Sequence, residues 1–92
     1  MADDERIEVL FSGHVQGVGF RFTTVNIARR YAVTGFVANL RDGRVRLVAE
    51  GQPKELDAFA EAVQREMARY IAGASKSQGP AKGAFTGFAV AR

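Results

Sequence analysis

The sequence contains no cysteine. Disulfide scaffolds, thiolate zinc sites and cysteine nucleophiles are therefore excluded together. It contains one histidine, His14, and a lone histidine with no partner at ligand spacing does not build a metal site. His14 is read as an ordinary loop residue with no assigned role. No apolar run approaches the length a membrane-spanning helix needs. The opening Met1-Ala2-Asp3-Asp4-Glu5-Arg6 is charged and holds no apolar signal core, so a cytoplasmic location is expected.

What is there suffices for one compact domain. The chain has 92 residues, 47% of them hydrophobic, which separates it from disordered chains. The formal net charge is +3. That balance suits an anionic ligand such as phosphate, and equally suits nucleic acid or plain solubility.

Residues 1–6 read as a solvated tail and residues 7–92 as a single domain. Ile7, Val9 and Phe11 alternate with Glu8, Leu10 and Ser12, which predicts a strand over Ile7–Ser12. The glycine-rich stretch from Gly13 to Arg21 reads as a loop. Phe22–Val33 fits a helix, with Thr24, Val25, Ile27, Ala28, Tyr31 and Ala32 on one arc. Phe36–Leu40 resumes alternation, and Asp42-Gly43 before Val45, Leu47 and Ala49 is a strong hairpin signal. Pro53 suits the first turn of a second helix, whose stripe of Leu56, Phe59, Ala60, Val63, Met67, Tyr70 and Ile71 is core rather than a cofactor box. Gly73–Gly83 is polar and reads as a loop, with at most a poor edge strand inside; Ser75, Lys76 and Ser77 belong to it. Phe85–Arg92 closes as a last strand. The order predicts an α+β, ferredoxin-like βαββαβ sandwich, an antiparallel sheet with two helices on one face.

The loop Gly13-His14-Val15-Gln16-Gly17-Val18-Gly19-Phe20-Arg21 sits between a strand and a helix start. Backbone N–H groups in such a loop converge on an anion, aided by the unpaired N–H groups and dipole of the helix. No Gly-Lys-Ser/Thr follows, so it is not a nucleoside triphosphate loop, and its glycine spacing is not that of a dinucleotide fingerprint. Arg21 is a cation at a helix N-terminus, which the dipole opposes unless an anion sits there. Its guanidinium matches phosphate bidentately. The plainer alternatives are glycines that only permit a turn and an arginine lying over Phe22.

These residues resemble the signature of the acylphosphatase family. Gly35-Phe36-Val37-Ala38-Asn39-Leu40-Arg41-Asp42-Gly43 is similar to that family's second motif, and Phe85-Thr86-Gly87-Phe88-Ala89-Val90 to its closing strand. The resemblance implies hydrolysis of a carboxyl–phosphate anhydride to a carboxylate and phosphate. It implies that Arg21 binds the phosphate with the backbone of Val15, Gln16, Gly17, Val18, Gly19 and Phe20, and that Asn39 orients the attacking water. It also implies no metal, no cofactor and no covalent phosphoenzyme. The departure lies in Ala72–Gly83, where relatives carry a more readable strand.

The chemistry is coherent with these residues. A carboxylate leaves readily, so the loose phosphoryl-transfer transition state needs positioning and electrostatics more than a general acid. An amide accepts from and donates to water but is too weak a base to deprotonate it, so Asn39 must act by orientation. Asn39 bonded only to its own backbone is the bland alternative, weakened by the poor fit of asparagine in a strand.

The rival from another class is a nucleic-acid module of the same fold plan. Such domains stack bases on strand aromatics, and Arg44–Gly51 has none. A metal chaperone lacks its Cys-x-x-Cys. An anion-binding domain that no longer turns over remains a second reading. A similar module occurs inside larger maturation enzymes; a standalone enzyme is the expectation here. The expected partners are a small acyl phosphate, with inorganic phosphate or sulfate as competing anion, and neither nucleic acid nor membrane. A monomer is expected.

Overall fold

The computed structural model describes residues 3–91. Met1 and Ala2 of the expected tail, and Arg92 of the expected last strand, lie outside the described residues. Five strands and two α-helices follow in the order β1 Glu5–Gly13, α1 Phe20–Ala28, β2 Val33–Asn39, β3 Val45–Gly51, α2 Pro53–Glu66, a 3-10 turn Ala68–Tyr70, β4 Ile71–Pro80 and β5 Phe88–Val90. The sheet order is β4-β1-β3-β2-β5. Its pairs are antiparallel except β2 with β5, which run parallel. This is the ferredoxin-like plan with one parallel strand added at the edge.

Alternation places the core. Ile7, Val9 and Phe11 of β1, Val37 of β2 and Val45, Leu47 and Ala49 of β3 are all at most 1% exposed. They join Ile27 of α1 and Leu56, Phe59 and Val63 of α2 in one cluster, so both helices cover the same sheet face.

The other sheet face is covered in part. The segment 81–87 crosses it, with Phe85 packed on Phe36 (5.8 Å between ring centroids) and beneath the Arg6 guanidinium (5.2 Å). The carboxylate of Glu50 accepts from the backbone N–H groups of Lys82 and Gly83, each at 3.0 Å. Phe85 is therefore not part of the last strand, which is confined to Phe88–Val90. Its side chain is needed on the open face, and the chain turns through Gly87, whose carbonyl accepts from Gly35 N–H (2.9 Å), before pairing begins.

Other boundaries move for identifiable reasons. Glu5 and Arg6 are strand rather than tail, because Arg6 pairs with Glu50 across β1 and β3 (2.9 Å). Helix α1 opens at Phe20 and ends at Ala28 instead of spanning Phe22–Val33. The N–H groups of Arg30 and Tyr31 bond to the carbonyls of Ile27 and Ala28, tightening the exit, and Glu55 takes the Ala32 N–H at 2.7 Å. Val33 is thereby released to begin β2. Tyr70 and Ile71 likewise leave the second helix, which ends at Glu66.

The largest departure is Ala72–Gly83. Most of it, with Ser75, Lys76 and Ser77, is the ten-residue edge strand β4, paired with β1 from Ile71 to Pro80. An edge strand buries little, and polar side chains with lysine are what a solvent-facing edge carries. No helix among the described residues is long and apolar enough to cross a membrane.

Candidate active site

The loop between β1 and α1 is pinned at several points. The His14 N–H bonds to the Tyr70 carbonyl (2.9 Å), and Val15 is fully buried. Gln16 turns its amide toward the β2–β3 hairpin, where Nε2 donates to the carbonyls of Leu40 (2.7 Å) and Arg44 (3.0 Å). Gly17 and Gly19 both have φ of +78°, with open space where a Cβ would stand. Glycine is required there for the backbone angle and not for room.

Gly19 caps α1, whose first turn carries no acidic residue and no side-chain cap. Its leading N–H groups are therefore uncommitted to protein side chains, and the positive end of the dipole is uncompensated. Phe20 faces inward, 5.1 Å from Phe11 between ring centroids, and Thr24 Oγ1 donates to its carbonyl (2.8 Å). These two contacts fix the rotation of the helix and leave Arg21 exposed beside the cap. Among the described residues, no carboxylate forms an ion pair with Arg21.

Asn39 is the last residue of β2, opposite Val45. It shares the helix-side face with Val37 by strand alternation. Its Oδ1 is buried and receives no hydrogen bond from the protein. Buried side-chain oxygens are rarely left so, and exceptions gather at functional sites. The hairpin that follows is held by Leu40 N–H to Arg44 O (2.8 Å) and by Asp42, which accepts from the Arg44 N–H (3.1 Å) and pairs with its guanidinium (2.8 Å).

A cleft of about 280 Å³ joins these parts, walled by Val15, Gly17, Gly19, Phe20 and Arg21 on one side and Asn39 on the other, with Phe22 and Val90 at its rim. Loop and strand end, distant in sequence, thus meet in one concavity. The side chains of Gln16 and Val18 turn away from it: Gln16 reaches the hairpin and Val18 packs against the core. His14 lies outside it too. Among the described residues no three His, Cys, Asp or Glu side chains gather as a metal site would require. A site with one cation, free backbone donors and an uncommitted carboxamide can bind a compact anion and orient a small neutral molecule against it.

Two contributions were not readable in advance. The Gln16 side chain carried no signal of its hairpin partners, because the contact spans the fold. Phe22 and Val90 carried only their apolarity in positions read as helix start and strand.

The acylphosphatase family model matches residues 7–90. The chain is 41% identical over 90 residues to an acylphosphatase of Methylococcus capsulatus, covering 96% of this chain and 97% of that one. It is 48% identical over 58 residues to an acylphosphatase of Archaeoglobus fulgidus, a stretch that covers 63% of this chain and 65% of that protein. The fold superposes on the crystal structure of acylphosphatase from Bacillus subtilis with a TM-score of 0.86 at 28% identity, covering 96% of this chain and 99% of that one. With the motif-bearing loop and the strand-end asparagine facing one cleft, the match over nearly the whole length means that the chain belongs to the acylphosphatase family of enzymes.

Proposed function

We propose that this chain hydrolyses the carboxyl–phosphate bond of acyl phosphates, releasing a carboxylate and inorganic phosphate. Arg21 grips the phosphoryl oxygens in a bidentate fashion, and the backbone N–H groups of residues 15–20 surround the rest of the group. Asn39 holds the attacking water through its carboxamide, in line with the bond to be broken. The carboxylate departs as phosphorus accepts the water, and the water's proton passes to phosphate or solvent. No covalent phosphoenzyme forms, and no metal or other cofactor takes part.

The observation that carries this reading is the uncommitted Oδ1 of Asn39 on the wall of the cleft that also holds Arg21 and the α1 N-terminus. Arginine and free amides stabilise charge spread over phosphoryl oxygens, which is the main demand of this transition state.

The same reading makes inorganic phosphate and sulfate competing ligands. The functional unit is a monomer. Residues 7–92 then act as one domain, in the cytoplasm, with neither nucleic acid nor membrane as partner. A sedimentation mass of twice the chain would overturn the monomer.

Arg21→Gln and Asn39→Ala test the roles. Arg21→Gln is expected to lose both phosphate affinity and turnover of benzoyl phosphate. Asn39→Ala is expected to keep phosphate affinity while kcat falls by about 10²–10³, the usual cost of one lost stabilising or orienting group. Equal loss of phosphate affinity in both variants contradicts the division of labour.

A further inference from the structure

Among the described residues, the exposed large hydrophobics are Phe22, 72% exposed, and Val90, 46% exposed. Scattered exposed apolar side chains are ordinary on a protein surface. These two are not scattered, because both stand at the rim of the cleft that holds Arg21 and Asn39.

Each is held there by its neighbours. In α1, Phe20 is 2% exposed and Thr24 is fully buried. Phe22 lies two residues from each, about 200° around the helix from both, so it is turned outward whenever they are turned in. In β5, Phe88 packs on Phe59 at 5.4 Å between ring centroids. Val90 is on the same strand face two residues further on. Its backbone is locked against β2, opposite Val37 and followed by an Ala91 N–H bond to the Val37 carbonyl (2.9 Å). The helix start and the strand end thus deliver two apolar groups to the lining of one cleft.

We propose that Phe22 and Val90 seat the acyl substituent of the substrate, so that the chain prefers acyl phosphates with an aromatic or branched aliphatic acyl group over acetyl phosphate. This rests on the phosphate lying against Arg21 and the loop amides as described above. With the phosphate there, the acyl group must leave the cleft past its rim, where the exposed Phe22 and Val90 stand. Among the described residues, Arg21 is the only charged one lining the cleft, and the phosphate takes its charge. A second anionic group on the acyl chain meets no further cation among the described lining residues, whereas a ring buries against Phe22 and Val90 at no electrostatic cost. An aromatic acyl group stacks on Phe22 in offset or edge-on geometry.

The test uses two phosphonates that carry the same acid group and cannot be hydrolysed, benzoylphosphonate and acetylphosphonate. Their affinities are measured by calorimetry for the wild type, Phe22→Ser and Val90→Thr. Wild type is expected to bind the benzoyl compound about tenfold more tightly, the size of discrimination that a small apolar contact provides. Phe22→Ser is expected to remove most of that preference and Val90→Thr part of it. Both side chains are exposed, so neither change opens a core cavity, and circular dichroism checks the fold. Equal wild-type affinities, or a preference intact in both variants, overturn the proposal. So does a wild-type dimer that dissociates on Phe22→Ser, which would put a second copy on the patch. Turnover of acetyl phosphate by wild type, measured separately, tests the hydrolytic reading, and its failure leaves the binding preference standing or falling on its own.

Discussion

Gln16 Nε2 lies 2.7 Å from the carbonyl oxygen of Leu40 and 3.0 Å from that of Arg44, and donates to both. Leu40 follows Asn39 directly, so one amide ties the β1–α1 loop to the strand end that carries Asn39. Among the described residues, no other hydrogen bond joins this loop to the end of β2. The distance between a phosphate held by the loop and a water held by Asn39 therefore depends on this bridge.

Gln16→Met is expected to break the bridge at nearly constant volume. The two carbonyls keep partners, since Leu40 O also accepts from Gly43 N–H (3.2 Å) and Arg44 O from Leu40 N–H (2.8 Å). The stability loss should accordingly be small, about 1–2 kcal/mol for two neutral hydrogen bonds. Turnover should suffer more: kcat falls about tenfold or more while KM moves little, because alignment is lost and phosphate contacts are not. Unchanged kcat beside a lowered urea midpoint would make Gln16 purely structural.

Gly19→Ala tests the backbone of the cradle. At φ of +78° an alanine is strained although nothing lies within 4 Å of its Cβ. The expected cost is about 1–2 kcal/mol of stability by urea unfolding. Inorganic phosphate should bind more weakly, since relief of the strain re-aims the N–H groups at the start of α1. Full phosphate affinity in the variant would show that the cap does not contribute to the anion site.

Phosphate should stabilise the fold by mass action. At a hundred times its dissociation constant, a ligand bound only to the native state adds about 2.7 kcal/mol. Thermal unfolding of wild type is expected to shift upward with added phosphate or sulfate, and that of Arg21→Gln is not. A shift of equal size in both proteins would place the anion away from Arg21.

Acid should find Glu50. The residue is 4% exposed, and burial by itself pushes its carboxyl up. The Lys82 amide, the Arg6 guanidinium and the Gly83 amide act oppositely and prevail, holding its pKa below the usual 4.5. A carboxyl depressed in the folded state stabilises above its unfolded pKa, and the contribution fades as pH falls through the folded value. Wild type should therefore lose stability below about pH 4.5, where an unfolded glutamate begins to hold its proton. Glu50→Gln should flatten that part of the profile and cost about 1–3 kcal/mol near neutrality, because one of its part-buried donors loses its acceptor. Parallel profiles for the two proteins, from urea unfolding across this range, would exclude Glu50 as the acid-sensitive group.

Hydrolysis should continue undiminished in a chelator such as EDTA. The carboxylate leaving group and the charge on Arg21 remove the need for a Lewis acid. A rate that collapses in EDTA and returns with added magnesium would reject this scheme.

Much of the fold was legible because period and punctuation agreed. Ile7, Val9 and Phe11 alternated, Asp42-Gly43 marked a hairpin, and the stripe from Leu56 to Val63 had helical spacing. Arg21 and Asn39 stood out as a cation at a helix start and an amide in a strand, each locally unfavourable. Boundaries were less legible. Phe20 begins α1 because it packs on Phe11, and Val33 begins β2 because Glu55 ties off the chain before it. Neither partner is near in sequence.

The polar run Ile71–Pro80 shows the limit most clearly. Nothing in its composition favours a strand, yet it pairs along the length of β1. A strand at an edge needs a neighbour's backbone more than its own side chains, and the register is supplied by β1, not by Ser75 or Lys76. Phe85 is the converse: a strand-like residue drawn out of the strand by Arg6 and Phe36.

The sequence alone thus determined most of the element types, the glycine-rich loop after β1 and the local chemistry that singled out Arg21 and Asn39, because propensity, periodicity and side-chain chemistry are local. Tertiary structure alone decided where β4 and Phe85 go, that Gln16 spans to Leu40, and that Phe22 and Val90 meet at one rim. Those outcomes depend on which distant backbone or side chain arrives alongside, and that is settled only when the sheet closes around its core.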